Sequence, residues 1–187
     1  MQYFKLVMAN EERWTLAIAR QFPDGREVDI WAYSMGQPAA DDTVPFVVDV
    51  DGEIVDYNVT AFGSIVVSSK MAEILCRIAS TEIQRIPAAV RGADGDWEVL
   101  NVVSVVDCID HDRSRIQYFP LDHAEKPAKP RAIIKLVLDL DRAKGHHVFK
   151  PMDWLVATIV SADVKAALED AGITGVEYWP TTDDVTV

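Results

Sequence analysis

Cysteine is scarce in this chain, long apolar runs are missing, and two stretches hold no basic side chain at all. The two cysteines, Cys76 and Cys108, are too few for a disulfide framework, and they read as reduced thiols in a cytoplasmic protein. No apolar run approaches the roughly 18–20 residues of a membrane span. The N-terminus, Met1 to Asn10, has one lysine and no long apolar core. It reads as a first, edge strand and not as a secretory signal. The protein is therefore expected in the cytoplasm and away from membranes.

Basic residues are missing where acidic ones collect. From Glu27 to Ser69 there are eight carboxylates (Glu27, Asp29, Asp41, Asp42, Asp49, Asp51, Glu53, Asp56) and no lysine or arginine. From Ala166 to Val187 there are five more (Glu169, Asp170, Glu177, Asp183, Asp184), again with no basic residue. These stretches total −13 against a net charge of −12, so the rest of the chain carries +1. Such a field repels nucleic acid and attracts basic partners. It also serves solubility, which is the simpler reading of the same charges.

What the chain does have is strand signal. Phe46–Val50 and Glu53–Val59 flank Asp51-Gly52, which predicts a hairpin. Trp97 to Ile109 is valine-rich and apolar on both faces, which predicts one long central strand. Glu11–Arg20 is expected as a short helix with Trp14 and Ile18 on one face. Pro120–Arg131 is expected as an exposed loop, His146–Lys150 as a strand after the turn at Gly145, and the acidic tail from Thr181 as loose chain. Trp97 and Trp179 are expected in the core.

Two segments resemble each other. Thr158 to Pro180 reads as strand, capped helix, glycine stop, strand; a looser copy runs from Val67 to Pro87. Without a gap, Ser68 meets Ser161, Leu75 meets Leu168, Ile83 meets Val176 and Pro87 meets Pro180. Met71, Ile74, Leu75 and Ile78 fall on Val164, Ala167, Leu168 and Ala171, the stripe of a helix buried on one side. Serine before each helix is an N-cap, and Gly172 is placed for a left-handed C-terminal stop. The pattern predicts one α+β domain over residues 1–187. Its sheet is mixed and mostly antiparallel, with two capped helices in related strand–helix–strand units; residues 1–60 are a candidate β-rich subdomain.

Catalytic and metal chemistry find little support. His146 and His147 are adjacent, so on a strand they point to opposite faces and do not readily share an ion. They are expected to serve the fold, one turned to the core and one nearer solvent. Asp107 to Asp112 lacks zinc spacing and the calcium-loop pattern. Cys108 and His111 stand three apart near a strand end and would face different ways, so a buried thiol is expected. No Gly-x-Ser-x-Gly elbow, phosphate loop or dinucleotide fingerprint occurs. No catalytic residue, metal or cofactor is assigned.

Four features carry a family resemblance: Ser68–Leu75 after an apolar strand; Leu100-Asn101 running to Asp107 and Asp110; Gly145-His146-His147-Val148-Phe149; and Ile159 to Val176. Over about residues 60–180 the chain resembles a family of bacterial immunity proteins from polymorphic toxin systems, immunity family eleven, once filed as a domain of unknown function. The resemblance implies a non-enzymatic protein that binds and neutralises a cognate toxin; the acidic excess makes a basic nuclease one candidate. It supplies no catalytic residues. Its toxin contacts are expected in the acidic segment, at Asp41, Asp42, Asp49, Asp51, Glu53 and Asp56, with Trp31 or Tyr33 as apolar anchor. The tail from Asp183 is a further candidate. Two other readings stand beside it: a regulatory or scaffold module for another basic protein, and an enzyme with an unrecognised site.

Overall fold

β-Branched and aromatic runs form strands that gather into two main sheets. The computed structural model of the protein describes residues 1–9 and 13–182. The larger sheet has the order β2 (Thr15–Ile18), β3 (Val44–Val50), β6 (Ile83–Arg91), β7 (Trp97–Val102), β5 (Ile65–Ser68), β4 (Tyr57–Val59). Only β3 and β6 pair in parallel within it. The second sheet has the order β13 (Val176–Pro180), β1 (Tyr3–Met8), β12 (Ile159–Ser161), β11 (Val148–Pro151), β8 (Val105–Val106). There only β11 and β8 are parallel. A separate ribbon pairs β9 (Arg115–Tyr118) with β10 (Pro130–Lys135). The fold is α+β and mostly antiparallel, as the sequence predicts.

Both serine caps form. Ser68 Oγ accepts from Met71 N at 3.3 Å and opens α1 (Ser69–Ala79); Ser161 Oγ accepts from Val164 N at 3.4 Å and opens α3 (Ala162–Asp170). A four-residue helix, α2 (Leu140–Ala143), precedes β11. α3 stops at Gly172, whose φ is +64°; Gly172 N and Ile173 N bond back to Glu169 O and Leu168 O. That pair of bonds satisfies two carbonyls at the helix end, and glycine alone enters this geometry without strain.

Met71, Ile74 and Leu75 of α1 and Val164 and Leu168 of α3 are buried in one cluster. Phe4 and Val160 of the second sheet and Val67 and Leu100 of the first join it, so both helices and both sheets share this core. The connectivity also repeats. β5 and β6 are parallel strands with antiparallel β7 between them, and α1 joins them. β12 and β13 are parallel strands with antiparallel β1 between them, and α3 joins them.

The sheets meet at Glu82. Its carbonyl accepts from Val103 N at 2.9 Å and Ser104 N at 3.2 Å. Its buried carboxylate accepts from His147 N at 2.9 Å and Val148 N at 2.8 Å, and lies 2.9 Å from His146 Nδ1. A carboxylate only accepts, so His146 Nδ1 carries the hydrogen. His147 Nδ1 sits 2.9 Å from Ser161 Oγ, the cap of α3. Both histidines are thus tied to the scaffold; both are partly buried, and regular strand begins only after them, at Val148.

Several expectations need correction. The run from Trp97 to Ile109 is not one strand. β7 ends at Val102, the chain turns where Glu82 holds Val103 and Ser104, and β8 enters the other sheet. Trp14 to Ile18 is not helical: Leu16 and Ile18 alternate inward as β2 pairs with β3, while Glu11 and Glu12 lie outside the described residues. Asp51-Gly52 makes no hairpin. Instead Gly52 abuts the backbone of Arg13, where a Cβ would sit 2.3 Å from the carbonyl carbon, and Trp14 N donates to Glu53 O. β1 is internal, flanked by β12 and β13. Trp179 is exposed because β13 is an edge strand that turns Val176 and Tyr178 inward; Lys5 Nζ stands 5.7 Å from its ring. The acidic tail beyond Thr182 lies outside the described residues.

Removing the Glu82 carboxylate strands two amide donors between the sheets. Glu82→Ala should lower unfolding free energy by about 3 kcal/mol, and Glu82→Gln, which keeps an acceptor, by clearly less. Urea unfolding checks this; an alanine variant within about 0.5 kcal/mol of the parent contradicts it.

Candidate partner-binding surface

The acidic segment begins in the long connection from β2 to β3, residues 19–43, which lies over one face of the larger sheet. Ala39 N donates to Gln84 Oε1 of β6, and Asn101 Nδ2 of β7 donates to Gln37 O. These bonds pin the connection and decide which of its side chains face out. Asp29 Oδ1 accepts from Trp31 N at 3.0 Å, and Trp31 O accepts from Ser34 N at 3.1 Å. That turn leaves Trp31 52% exposed, with its ring 5.2 Å from Phe62 and edge-on to it. Tyr33, two residues on, points the other way. It is 1% exposed in the core under the sheet, and its hydroxyl donates to Asp41 Oδ2 at 2.8 Å. Burial, then the Asp41 carboxylate, pushes the Tyr33 pKa well up. Tyr33 is a core residue and offers no surface anchor.

The carboxylates divide into two groups. Asp41 is partly buried, bonded to Tyr33 and 3.7 Å from Arg26 Nη1. Asp56 is bound internally: it accepts from Ser68 Oγ at 2.6 Å, from Thr174 N at 2.9 Å and from Thr174 Oγ1 at 2.9 Å. It thereby joins the cap of α1 to the turn after α3. Burial alone would raise its pKa; the bonds from Ser68 and Thr174, with the charge of Lys70, outweigh that and hold it below the ordinary range. Asp42, Asp49, Asp51 and Glu53 are exposed and make no ion pair among the described residues.

Strand register sets the exposed carboxylates of residues 49–53 apart from Trp31 in space. β3 runs parallel to β6, with Val44 opposite Ala88 and Val47 opposite Arg91, so Asp49 to Glu53 lie past the C-terminal end of β6. The β4–β5 turn carrying Phe62 lies at the opposite end, beside the start of β6. Trp31 and the three acidic residues therefore sit at opposite ends of the larger sheet and do not form one patch. Two apolar residues that the sequence reading passed over stand among the carboxylates: Val50 and Ile54, 55% and 57% exposed. At the Trp31 end, Met35, Met152 and Leu155 share a shallow cleft, and Met35, Met152 and Val156 are exposed. Exposed apolar side chains grouped in this way suit protein contact.

The catalytic alternatives lose ground on geometry. Cys108 is fully buried, and burial followed by the charges of Asp107 and Asp139 pushes its thiol pKa up to about 12. His111 Nδ1 pairs with Tyr118 Oη at 2.9 Å, away from the thiol. Among the described residues no cluster of His, Cys, Asp and Glu is arranged to hold a metal, and no helix is long and apolar enough to cross a membrane.

The chain belongs to an immunity protein family, Imm11, whose family model matches residues 5–183. The match takes in residues 5–60, where the sequence alone offers only strand-like character. No curated protein matches the chain.

Asp56 offers a test of which carboxylates serve the scaffold. A carboxyl whose folded pKa is depressed stabilises fully above its unfolded pKa, near 4, and loses that contribution as pH falls through its folded value. Asp56→Asn should cost about 1–2 kcal/mol near neutral pH, a figure already reduced for partial exposure, and progressively less below about pH 4. Asp49→Asn should change stability by less than about 0.5 kcal/mol. Equal losses for the two variants contradict the division.

Proposed function

We propose that this protein is a cytoplasmic immunity factor that binds a cognate toxin and blocks it by occupying its surface, with no chemistry of its own. Family membership supports the general role. The observation that carries the mode of action is the acidic end of the larger sheet, where Asp49, Asp51 and Glu53 make no ion pair among the described residues and surround exposed Val50 and Ile54. Like charges crowded together repel one another and gain nothing internally; facing a basic cleft, they attract over a distance set by ionic strength. Val50 and Ile54 supply apolar contact once the surfaces meet. A basic nuclease toxin fits this chemistry, because a cleft that takes phosphates also takes carboxylates. Trp31, with Phe62 and Met35, forms a second and separate contact.

The test is binding of the protein to the toxin encoded beside its gene. Reversing Asp49, Asp51 and Glu53 together to Lys should slow association about tenfold or more at low salt, and the parent's association rate should fall steeply as salt rises. Trp31→Ala should mainly speed dissociation, by about tenfold. Association indifferent both to the charge reversals and to salt contradicts the electrostatic mode. Failure of the two proteins to co-purify contradicts the immunity role itself.

A further inference from the structure

Lys150 has no part in the toxin reading. It lies in β11 and is 2% exposed, and its Nζ donates to Leu155 O at 2.7 Å. It makes no ion pair among the described residues. Burial alone lowers its pKa to about 8, with no charged neighbour contributing. An ammonium has three hydrogens to donate, and one carbonyl uses one of them. A buried cation without a counter-ion is costly, and an apolar side chain of similar length would fill the place better.

The surroundings of Lys150 say what would complete it. β1 and β12 pair from Tyr3 to Lys5, with one further bond from Leu6 N to Thr158 O; past it a gap opens where Met8 Sδ of β1 accepts from Val59 N of β4. The gap is a cleft of about 260 Å³ between the two sheets, bordered by Lys150 and by Leu6, Met8, Val59, Ile65 and Val156. Among the described residues no aspartate or glutamate lines it, in a chain of net charge −12. Lys5 and Tyr57 are its other titratable neighbours; the Lys5 ammonium stands near the Trp179 ring, and burial keeps the Tyr57 phenol neutral. One cation and apolar walls suit a monoanion with an apolar body. The volume, just under the roughly 300 Å³ at which drug-sized pockets begin, holds that body below drug size.

We infer that this cleft is a binding site for a small carboxylate with a short branched apolar chain, with Lys150 as its counter-ion. The site lies between the sheets and shares no residue with the acidic end; Val156 alone also belongs to the apolar group at the Trp31 end. Isobutyrate serves as the probe and isobutyramide as its uncharged counterpart, each followed through the methyl NMR signals of Met8, Ile65 and Val156. At about pH 7 isobutyrate should shift these methyls saturably and isobutyramide should not. Lys150→Met should fold, and should bind isobutyrate about tenfold more weakly or not at all. In the parent, affinity should fall as pH rises from about 7 to about 9.5, because the ammonium loses its proton. Unmoved methyls, equal response to the amide, undiminished binding by Lys150→Met, or equal affinity at both pH values each overturn the site. The pH comparison on the parent decides the matter if the variant does not fold.

Discussion

Glu82 holds both sheets at once, and much of the molecule follows from that. Its carbonyl fixes the break after β7, which sends the chain out of one sheet and into the other. Its carboxylate fixes the amides of His147 and Val148, and so the entry into β11. His147 passes the constraint on to Ser161, the cap of α3. A buried carboxylate without donors would be costly; here each bond it accepts also sets a strand position. Asp56 does comparable work from the cap of α1 to the turn after α3, so carboxylates join the two strand–helix–strand units at two separate places.

Interior bonding of this kind leaves the rim of the larger sheet free of structural duty. Asp49, Asp51 and Glu53 lie past the last β3–β6 pair, and their carboxylates make no ion pair among the described residues. Asp41 and Asp56, drawn from the same basic-free segment, are committed to Tyr33 and to Ser68 and Thr174. A single acidic stretch thus contains both scaffold and surface, and only the fold sorts one from the other. The Trp31 side is organised differently. It depends on the turn that Asp29 makes and on the bonds that hold the β2–β3 connection against Gln84 and Asn101.

Local signals in the sequence were dependable where local chemistry decides the outcome. Ser68 and Ser161 cap helices because a serine before an amphipathic run has donors within reach, and Gly172 stops α3 because it accepts positive φ. The matched stripes of α1 and α3 reached a common core for the same reason. Signals whose meaning depends on distant partners misled. Asp51-Gly52 has the composition of a hairpin, yet Gly52 is there to let the Arg13 backbone approach. The valine run after Trp97 is uniformly apolar, and nothing within it marks the change of sheet that Glu82 imposes from fifteen and more residues away. Trp31 and Tyr33 stand two apart in sequence, and the turn at Asp29, with the bonds that pin the connection to Gln84 and Asn101, decides which of them is surface. Glu82, in the turn just before β6, and Lys150, in β11, have partners that only the tertiary fold sets.

The central claim is that inhibition comes from occupancy and not from chemistry. Titrating the cognate toxin's activity with this protein tests it most directly. Occupancy predicts a linear loss of activity that ends at about one equivalent and does not deepen with longer incubation. Complete inactivation by a small fraction of an equivalent, progressing with time, would contradict it and would mean that the protein acts on the toxin as an enzyme.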